Sequence, residues 1–282
     1  MPEAGYAHVR GFTKPPAPLR CGVVVTAQAA LAAAATLVAV AFTCCTLDRS
    51  LSRRRRHDMA WTVAMGMFAI ASGALWLGSS VGWTGPTFRV FFLFGAILNV
   101  PYLALGTVYL FAGQRTGDRV ALGLTIAAAF AAGVMAVAPL QETISGTDLP
   151  TGSEVFGPLP RILAAVGSAG GALIVLGGAV LSLWRVLRGQ ERTRGRGMAA
   201  HPKRLALGNG LIAAGTLVLG ASGVLNGRLG ASTAFAVTLT LGITILFAGF
   251  LVATSAPAPR ATRPADTSSQ RAPQDLPSPA LG

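Results

Sequence analysis

Charge is what this chain has least of. Asp, Glu, Lys and Arg together make up 12% of its 282 residues, against about 25% in an ordinary soluble domain. Acidic residues are scarcest, 10 against 23 basic ones. So little charge does not cover a soluble globule of this size. Cysteine is nearly absent as well. Cys21 lies at one end of the first apolar run, and Cys44 and Cys45 lie at the other. No bond can join opposite ends of such a run, and neighbouring cysteines rarely pair, so a disulfide framework is excluded and all three read as small apolar fillers.

The chemistry that membranes usually host is missing too. Catalysis and ion coupling inside a bilayer usually show as ionisable residues within the apolar runs, and here the run interiors have none. His8, His57 and His201 all lie outside them, which leaves no paired ligands for a haem within a bundle. The last run has no lysine for a retinal Schiff base. No CxxC, HExxH, GxSxG or phosphate loop occurs. The expectation is a protein that is not an enzyme and holds no cofactor or metal.

What is present is apolar sequence in long blocks. Mean hydropathy is +0.58 and 52% of residues are hydrophobic. About 20 apolar residues suffice to cross a bilayer. The blocks predict an all-α polytopic bundle with seven transmembrane spans, near 22–47, 59–82, 90–112, 120–138, 162–183, 205–225 and 233–253. This transmembrane domain, 21–254, is flanked by a flexible arm at 1–20 and a disordered tail at 255–282 rich in Pro, Ala, Ser and Thr. The first run has a basic flank like a signal peptide. It is long for one, and Thr43–Cys44 lacks a small-residue cleavage pattern, so it reads as an uncleaved span. Trp61 near one end of the second run, with Trp76 and Trp83 near the other, suits the aromatic belts of a membrane. Thr84–Gly85–Pro86 reads as a tight turn.

Basic residues set the orientation. With the first, third and fifth loops and the tail on one side, that side carries 17 Lys and Arg and the other 6. The positive-inside rule then puts the N-terminus outside and the C-terminus in the cytoplasm of a cell (inner or plasma) membrane. Orientation accounts for the net charge of +13, so nucleic acid is not the expected partner. The lipid bilayer is. The arginine loops, Arg49 with Arg53 to Arg56 and then Arg188 to Arg204, could also bind anionic lipid or a cytoplasmic partner.

Two patterns run through the spans. Ala64 to Gly82 and Ala206 to Val224 align without gaps at an offset of 142, with nine of 19 positions identical. The same offset relates Ala27, Ala30 and Leu31 to Ala169, Ala172 and Leu173. A 3+1+3 parallel repeat of two three-helix units, one known transporter plan, would produce this. The second pattern is glycine four or seven apart: Gly66 and Gly73, Gly167 and Gly171, Gly208 and Gly215, Gly242 and Gly249. Such spacing lets helix backbones approach closely and marks interfaces within the bundle.

Arg89 to Ala112 stands out, with Asn99 and Pro101 near its middle. At helical spacing Phe92, Gly95, Asn99, Tyr102, Gly106 and Tyr109 share one face, while Leu93, Ile97, Val100 and Leu103 lie opposite. The first face is expected to meet protein and the second lipid. Pro101 removes a helix hydrogen bond and opens the backbone near Ile97. Asn99, Tyr102 and Tyr109 form a candidate polar face lining a path, or Asn99 bonds a neighbouring helix, as Gln28 of the first span would. Arg89, Arg161 and Arg228 should lie near the outer surface with Glu142, Asp148 and Glu154 of the acidic loop. They would pair to cap the bundle, or the arginines would snorkel to headgroups.

The run from Arg89 through Gly95, Asn99, Pro101, Gly106 and Tyr109, with Pro160–Arg161 and the Gly-rich span after it, resembles uncharacterised seven-span integral membrane proteins of high-GC, actinobacterial-type bacteria. A composition of 21 Arg to 2 Lys with abundant Ala and Gly agrees. The resemblance implies a membrane location and seven spans, and no activity. Sugar carriers of the three-plus-one-plus-three type share the span number but have prolines in the first two helices of each repeat, whereas spans one, two, five and six here have none in their interiors. Two roles remain: a non-enzymatic membrane sensor or scaffold, and a facilitator of a small neutral solute. A continuous wet cavity beside Asn99 would favour transport; a dry, glycine-packed centre would argue against it.

Overall fold

The structure, a computed structural model, describes residues 27–188, 202–229 and 232–254. The expected arm and tail, Cys21, and much of the second arginine loop lie outside the described residues. Among the described residues the fold is all-helical, apart from one isolated antiparallel bridge between Leu140 and Phe156. The long helices are α1 (Ala27–Arg53), α2 (Arg56–Val81), α3 (Gly85–Phe91) running through a π-helical segment (Phe92–Leu98) into α4 (Asn99–Ala112), and α5 (Gln114–Val137). A short α6 (Gly152–Val155) precedes α7 (Pro158–Leu187), α8 (Pro202–Leu229) and α9 (Ser232–Thr254).

Six of these segments are long and apolar enough to cross a membrane: Ala27–Arg53, Arg56–Val81, Gly85–Ala112, Gln114–Val137, Pro158–Ser182 and Thr233–Val252. Among the described residues, α8, the expected sixth span, adds the apolar stretch Gly210–Ser222. Large apolar side chains stand exposed around the bundle, among them Leu37, Leu122, Ile126, Val137, Val166 and Leu173. Apolar surface costs about 25 cal/mol per Å² in water, so such a belt fits hydrocarbon. The hydroxyls also fit a bilayer, where polar groups must be satisfied internally. Thr36, Thr43, Thr62, Ser72, Ser79 and Thr244 each donate to the carbonyl four residues back.

The links between helices are shorter than the sequence suggests. Only Arg54 and Arg55 separate α1 from α2, and only Gly113 separates α4 from α5. Gly113 has φ +82°, open to glycine without strain, and it reverses the chain in one residue. Arg115, Asp118 and Arg119 therefore lie in the first turns of α5. The turn expected at Thr84–Gly85–Pro86 sits one step earlier. Gly82 at φ +100° ends α2, and Thr84 caps α3, its hydroxyl oxygen accepting from Thr87 N–H at 3.4 Å. Pro86 then occupies the first helical turn, where its missing N–H costs nothing.

The spans pack as a ring. Helix α2 packs between α1 and α4, α4 meets α7, α7 meets α8, α8 meets α9, and α9 returns to α1. Helix α5 lies outside the ring against α4 and α7, and buries only Gly117, Ala131 and Met135. The tightest seams are built of small residues. Ala32, Ala35 and Ala39 of α1 are fully buried, and Ala64 of α2 is too. A Cβ on Gly215 would lie 2.8 Å from Leu246 N, and one on Gly249 would lie 2.8 Å from Ile212 N. These glycines set α8 and α9 backbone to backbone, where close packing is a main source of association in lipid.

Candidate functional site

The ring closes around a cavity of about 530 Å³, and the Asn–Pro stretch forms one wall of it. The local backbone explains how. Through the π segment the hydrogen bonds run from residue i to i−5, as in Asn99 N–H to Phe94 O. The register returns to α at Asn99, and just beyond it Pro101 has no N–H to give to the preceding turn. The Ser168 hydroxyl of α7 donates to Ala96 O, at 2.6 Å. Glycines let α7 come that near. A Cβ on Gly167 would lie 2.7 Å from Ile97 O, and one on Gly171 would lie 2.8 Å from Val100 O. Proline, π-helix, serine and the two glycines are one packing unit.

The expected protein face does meet protein at Gly95, Asn99 and Gly106, but the wide π turn shifts the helix beyond it, and this overturns the expected lipid face. Ile97 and Leu98 are buried, and Val100 and Leu103, expected to meet lipid, line the cavity. The expected polar face is split. Phe92, Gly95 and Asn99 line the cavity, whereas Tyr102 and Tyr109 line a separate groove at the other end of the span, beside Arg54 to Arg56. The Tyr109 hydroxyl donates to Asp118 Oδ1 at 2.9 Å, and Arg56 pairs with the same oxygen at 2.6 Å.

Asn99 is 7% exposed, and its Oδ1 has no hydrogen-bond partner among the described residues. A buried, unsatisfied amide oxygen costs about 1–3 kcal/mol. Phe88, Phe91, Phe92 and Phe235 supply an aromatic wall near it. Four hydroxyls also line the space: Ser72, Ser168, Thr216 and Ser222. Each has already given its proton to a carbonyl, at 2.6 to 2.9 Å. Their oxygens keep lone pairs, so these groups face the cavity as acceptors. No carboxylate lines it, and Arg161 is its one charged lining residue among the described residues. Such a space suits a mostly apolar molecule that brings its own donor and no positive charge.

One end is covered by the loop before α7. Thr151, Gly152 and Ser153 line the cavity there. The loop is pinned by Trp83 N–H to Gly146 O at 2.9 Å and by Gln141 N–H to Val155 O at 3.0 Å. Phe156, fully buried, stacks on Phe88 with ring centres 5.4 Å apart. The bundle does have a cover, held by ring stacking and backbone bonds. At the opposite end Met65, Leu103 and Leu246 separate this space from a second one of about 100 Å³ beside Trp61, Ser182 and Phe250.

The charges expected to close the cap do not meet. Glu142, Asp148 and Glu154 make no ion pair among the described residues. Arg89 instead wraps the end of α5, donating to the carbonyls of Met135, Ala136 at 3.0 Å and Ala138 at 2.6 Å. A cation there satisfies carbonyls that a helix C-terminus leaves unpaired. The side chain of Arg228 lies outside the described residues. Gln28, expected to bond a neighbour, is buried with Nε2 unpartnered among the described residues. Cys44 and Cys45 are free and exposed on α1, so they fill no gap.

Sequence reasoning missed Asp58. It lies in the first turn of α2, 2% exposed, with His57 Nε2 at 3.6 Å from its Oδ1. Its place between an arginine run and an apolar run was the available signal, since acids favour the first helical turn. Among the described residues no group of three or more His, Cys, Asp or Glu could hold a metal ion. Compared with family models, curated proteins and solved structures, the chain finds no match.

Proposed function

We propose that this chain is a seven-span membrane protein, N-terminus outside and C-terminus in the cytoplasm, that senses a small neutral molecule held in its ring cavity. The observation that carries this reading is a cavity of about 530 Å³ lined by Asn99, whose amide oxygen is buried without a partner among the described residues. Small-molecule sites occupy roughly 300–1,000 Å³ and combine apolar walls with a few placed polar groups. The ligand class is an apolar body with one hydroxyl or amide N–H. The donor meets the Asn99 amide once that side chain turns toward the space, and the body lies beside the phenylalanines. An occupant on Asn99 touches the junction between π and α register, and π segments recur at functional sites. Helix α4 carries that junction to Tyr109, Asp118 and Arg56 at the far end.

Sensing is preferred to carriage on physical grounds. A neutral, mostly apolar molecule dissolves in hydrocarbon and crosses a bilayer unaided, so a carrier would gain little. The facilitator reading keeps one observation in its favour, the second space of about 100 Å³ beyond Met65, Leu103 and Leu246. The internal repeat is not part of this reading. Gly66 and Gly73 meet Thr43 and Thr36 of α1, whereas Gly215, the counterpart of Gly73, meets Leu246 of α9.

The test is thermal unfolding of the full chain in detergent with borneol, a rigid alcohol, and with its methyl ether. Borneol should raise the midpoint, the ether should not, and Asn99→Leu should abolish the difference. An ether as effective as the alcohol would remove Asn99 as the anchor. Proteoliposomes separate the roles. Borneol binding with no gain in its equilibration rate supports the sensor; a gain that grows in Leu103→Ala supports the facilitator.

A further inference from the structure

A second site lies on the outer surface of the ring. Where α1 turns into α2, a groove of about 610 Å³ opens between the α1–α2 turn and α4. Its rim is Arg54, Arg55 and Arg56, and its apolar wall includes Leu51, Met59 and Val63, all exposed, with Leu105 behind. Arg56 is partly neutralised by Asp118, at 2.6 Å. Arg54 and Arg55 are exposed and make no ion pair among the described residues. Arg54 is also the one non-glycine residue with positive φ among the described residues, at +47°. That conformation is uncommon outside glycine, and here it seats two free cations side by side on the rim.

The shape of the groove says what fits it. From Arg56 to Val63, α2 advances about 10 Å at 1.5 Å per residue. The groove therefore starts in cations and continues along the apolar surface of a helix long enough to span a bilayer. A soluble anion would use the rim and leave the wall bare. A neutral lipid would use the wall and leave two guanidiniums without an anion. We infer that this groove holds one anionic phospholipid, its phosphate on Arg54 and Arg55 and the first part of one acyl chain along Leu51, Met59 and Val63. The site is independent of the ring cavity, with which it shares no lining residue.

Native mass spectrometry of the full chain in mixed micelles tests this, with phosphatidylglycerol and phosphatidylcholine of matched acyl chains as probes. A basic residue near an anionic lipid surface is worth about 1 kcal/mol, so two should give a preference for phosphatidylglycerol of roughly tenfold or more. Arg54→Gln with Arg55→Gln should bring that preference to about one- to twofold. Arg54→Lys with Arg55→Lys, which keeps the charge, should retain most of it. Arg115→Gln with Arg119→Gln, on neighbouring α5 but outside the groove, should leave it unchanged. Equal binding of the two lipids by the unaltered chain would overturn the proposal. So would an equal loss in the Arg115 and Arg119 variant, which would mean diffuse charge. Displacement of bound phosphatidylglycerol by an equal concentration of soluble glycerol phosphate would also overturn it, and would make this a free phosphate site.

Discussion

Asn99 and Ser168 show how much a single polar side chain decides when no water is at hand. Ser168 donates to the Ala96 carbonyl, beside the change from π to α register and the proline that follows it. Ser168→Ala keeps the shape and removes that partner. It should lower unfolding stability by about 1–2 kcal/mol, the order of one lost hydrogen bond, measurable by chemical unfolding in mixed micelles. Asn99 predicts the reverse. Its Oδ1 is buried without a partner among the described residues, so in the same assay Asn99→Leu should leave stability unchanged or raise it by up to about 1 kcal/mol. Under the proposed reading, an occupant of the cavity offsets that cost. Asn99 and Pro101 were legible in the sequence because an amide and a proline stand out in an apolar run. Ser168 was not, because a serine in a Gly- and Ala-rich span looks like any other small residue until the fold sets it against the Ala96 carbonyl.

At the scale of elements, helix existence was legible and helix faces only in part. Six apolar runs became helices of spanning length, as the size of a bilayer requires. The lipid face of the third span was misassigned because a 3.6-residue period was carried straight through Phe92–Leu98, where the turn is wider. The glycines of α7 test the resulting contact. A Cβ on Gly171 would lie 2.8 Å from the Val100 backbone, whereas one on Gly170 would meet nothing within 4 Å. Alanine is favoured over glycine in a helix by roughly 1 kcal/mol. Gly170→Ala should therefore be neutral or stabilising, and Gly171→Ala should destabilise by about 1–3 kcal/mol through overpacking, both read by thermal unfolding. Helix α5 offers a second test. Acidic partners for Arg89 were reasonable from sequence, since carboxylates were abundant in the loop and the unpaired carbonyls of a helix end leave no mark on it. Arg89→Gln should speed amide exchange over the last turn of α5, near Val134 to Val137. Reversing Arg89 to Glu should not be rescued by Glu142→Arg. Rescue would restore the ion-paired cap.

For the whole molecule, the open point of architecture is whether α8 crosses the membrane, and parity decides it. An odd number of crossings puts the two ends of the bundle on opposite sides, and an even number puts them on the same side. Over 205–225, 21 residues, the sequence of α8 carries no charge, and about 20 apolar residues suffice to cross. The helix itself is longer. Pro202–Leu229 has 28 residues, about 42 Å, and it packs closely along α9 through Gly215, Gly242 and Gly249. Thr233–Val252 of α9 is long and apolar enough to cross. A partner packed backbone to backbone along a helix long and apolar enough to cross supports the seven crossings proposed above. Thr216 and Ser222, which interrupt its apolar surface, line the ring cavity. Reporters fused before α1 and after α9 should therefore report opposite sides, the first extracytoplasmic and the second cytoplasmic. A reporter inserted at Ser145, in the covering loop, should report the same side as the first. Both ends on one side would leave six crossings and place α8 along the membrane surface. That would open the ring at α8 and remove the wall on which the binding cavity depends.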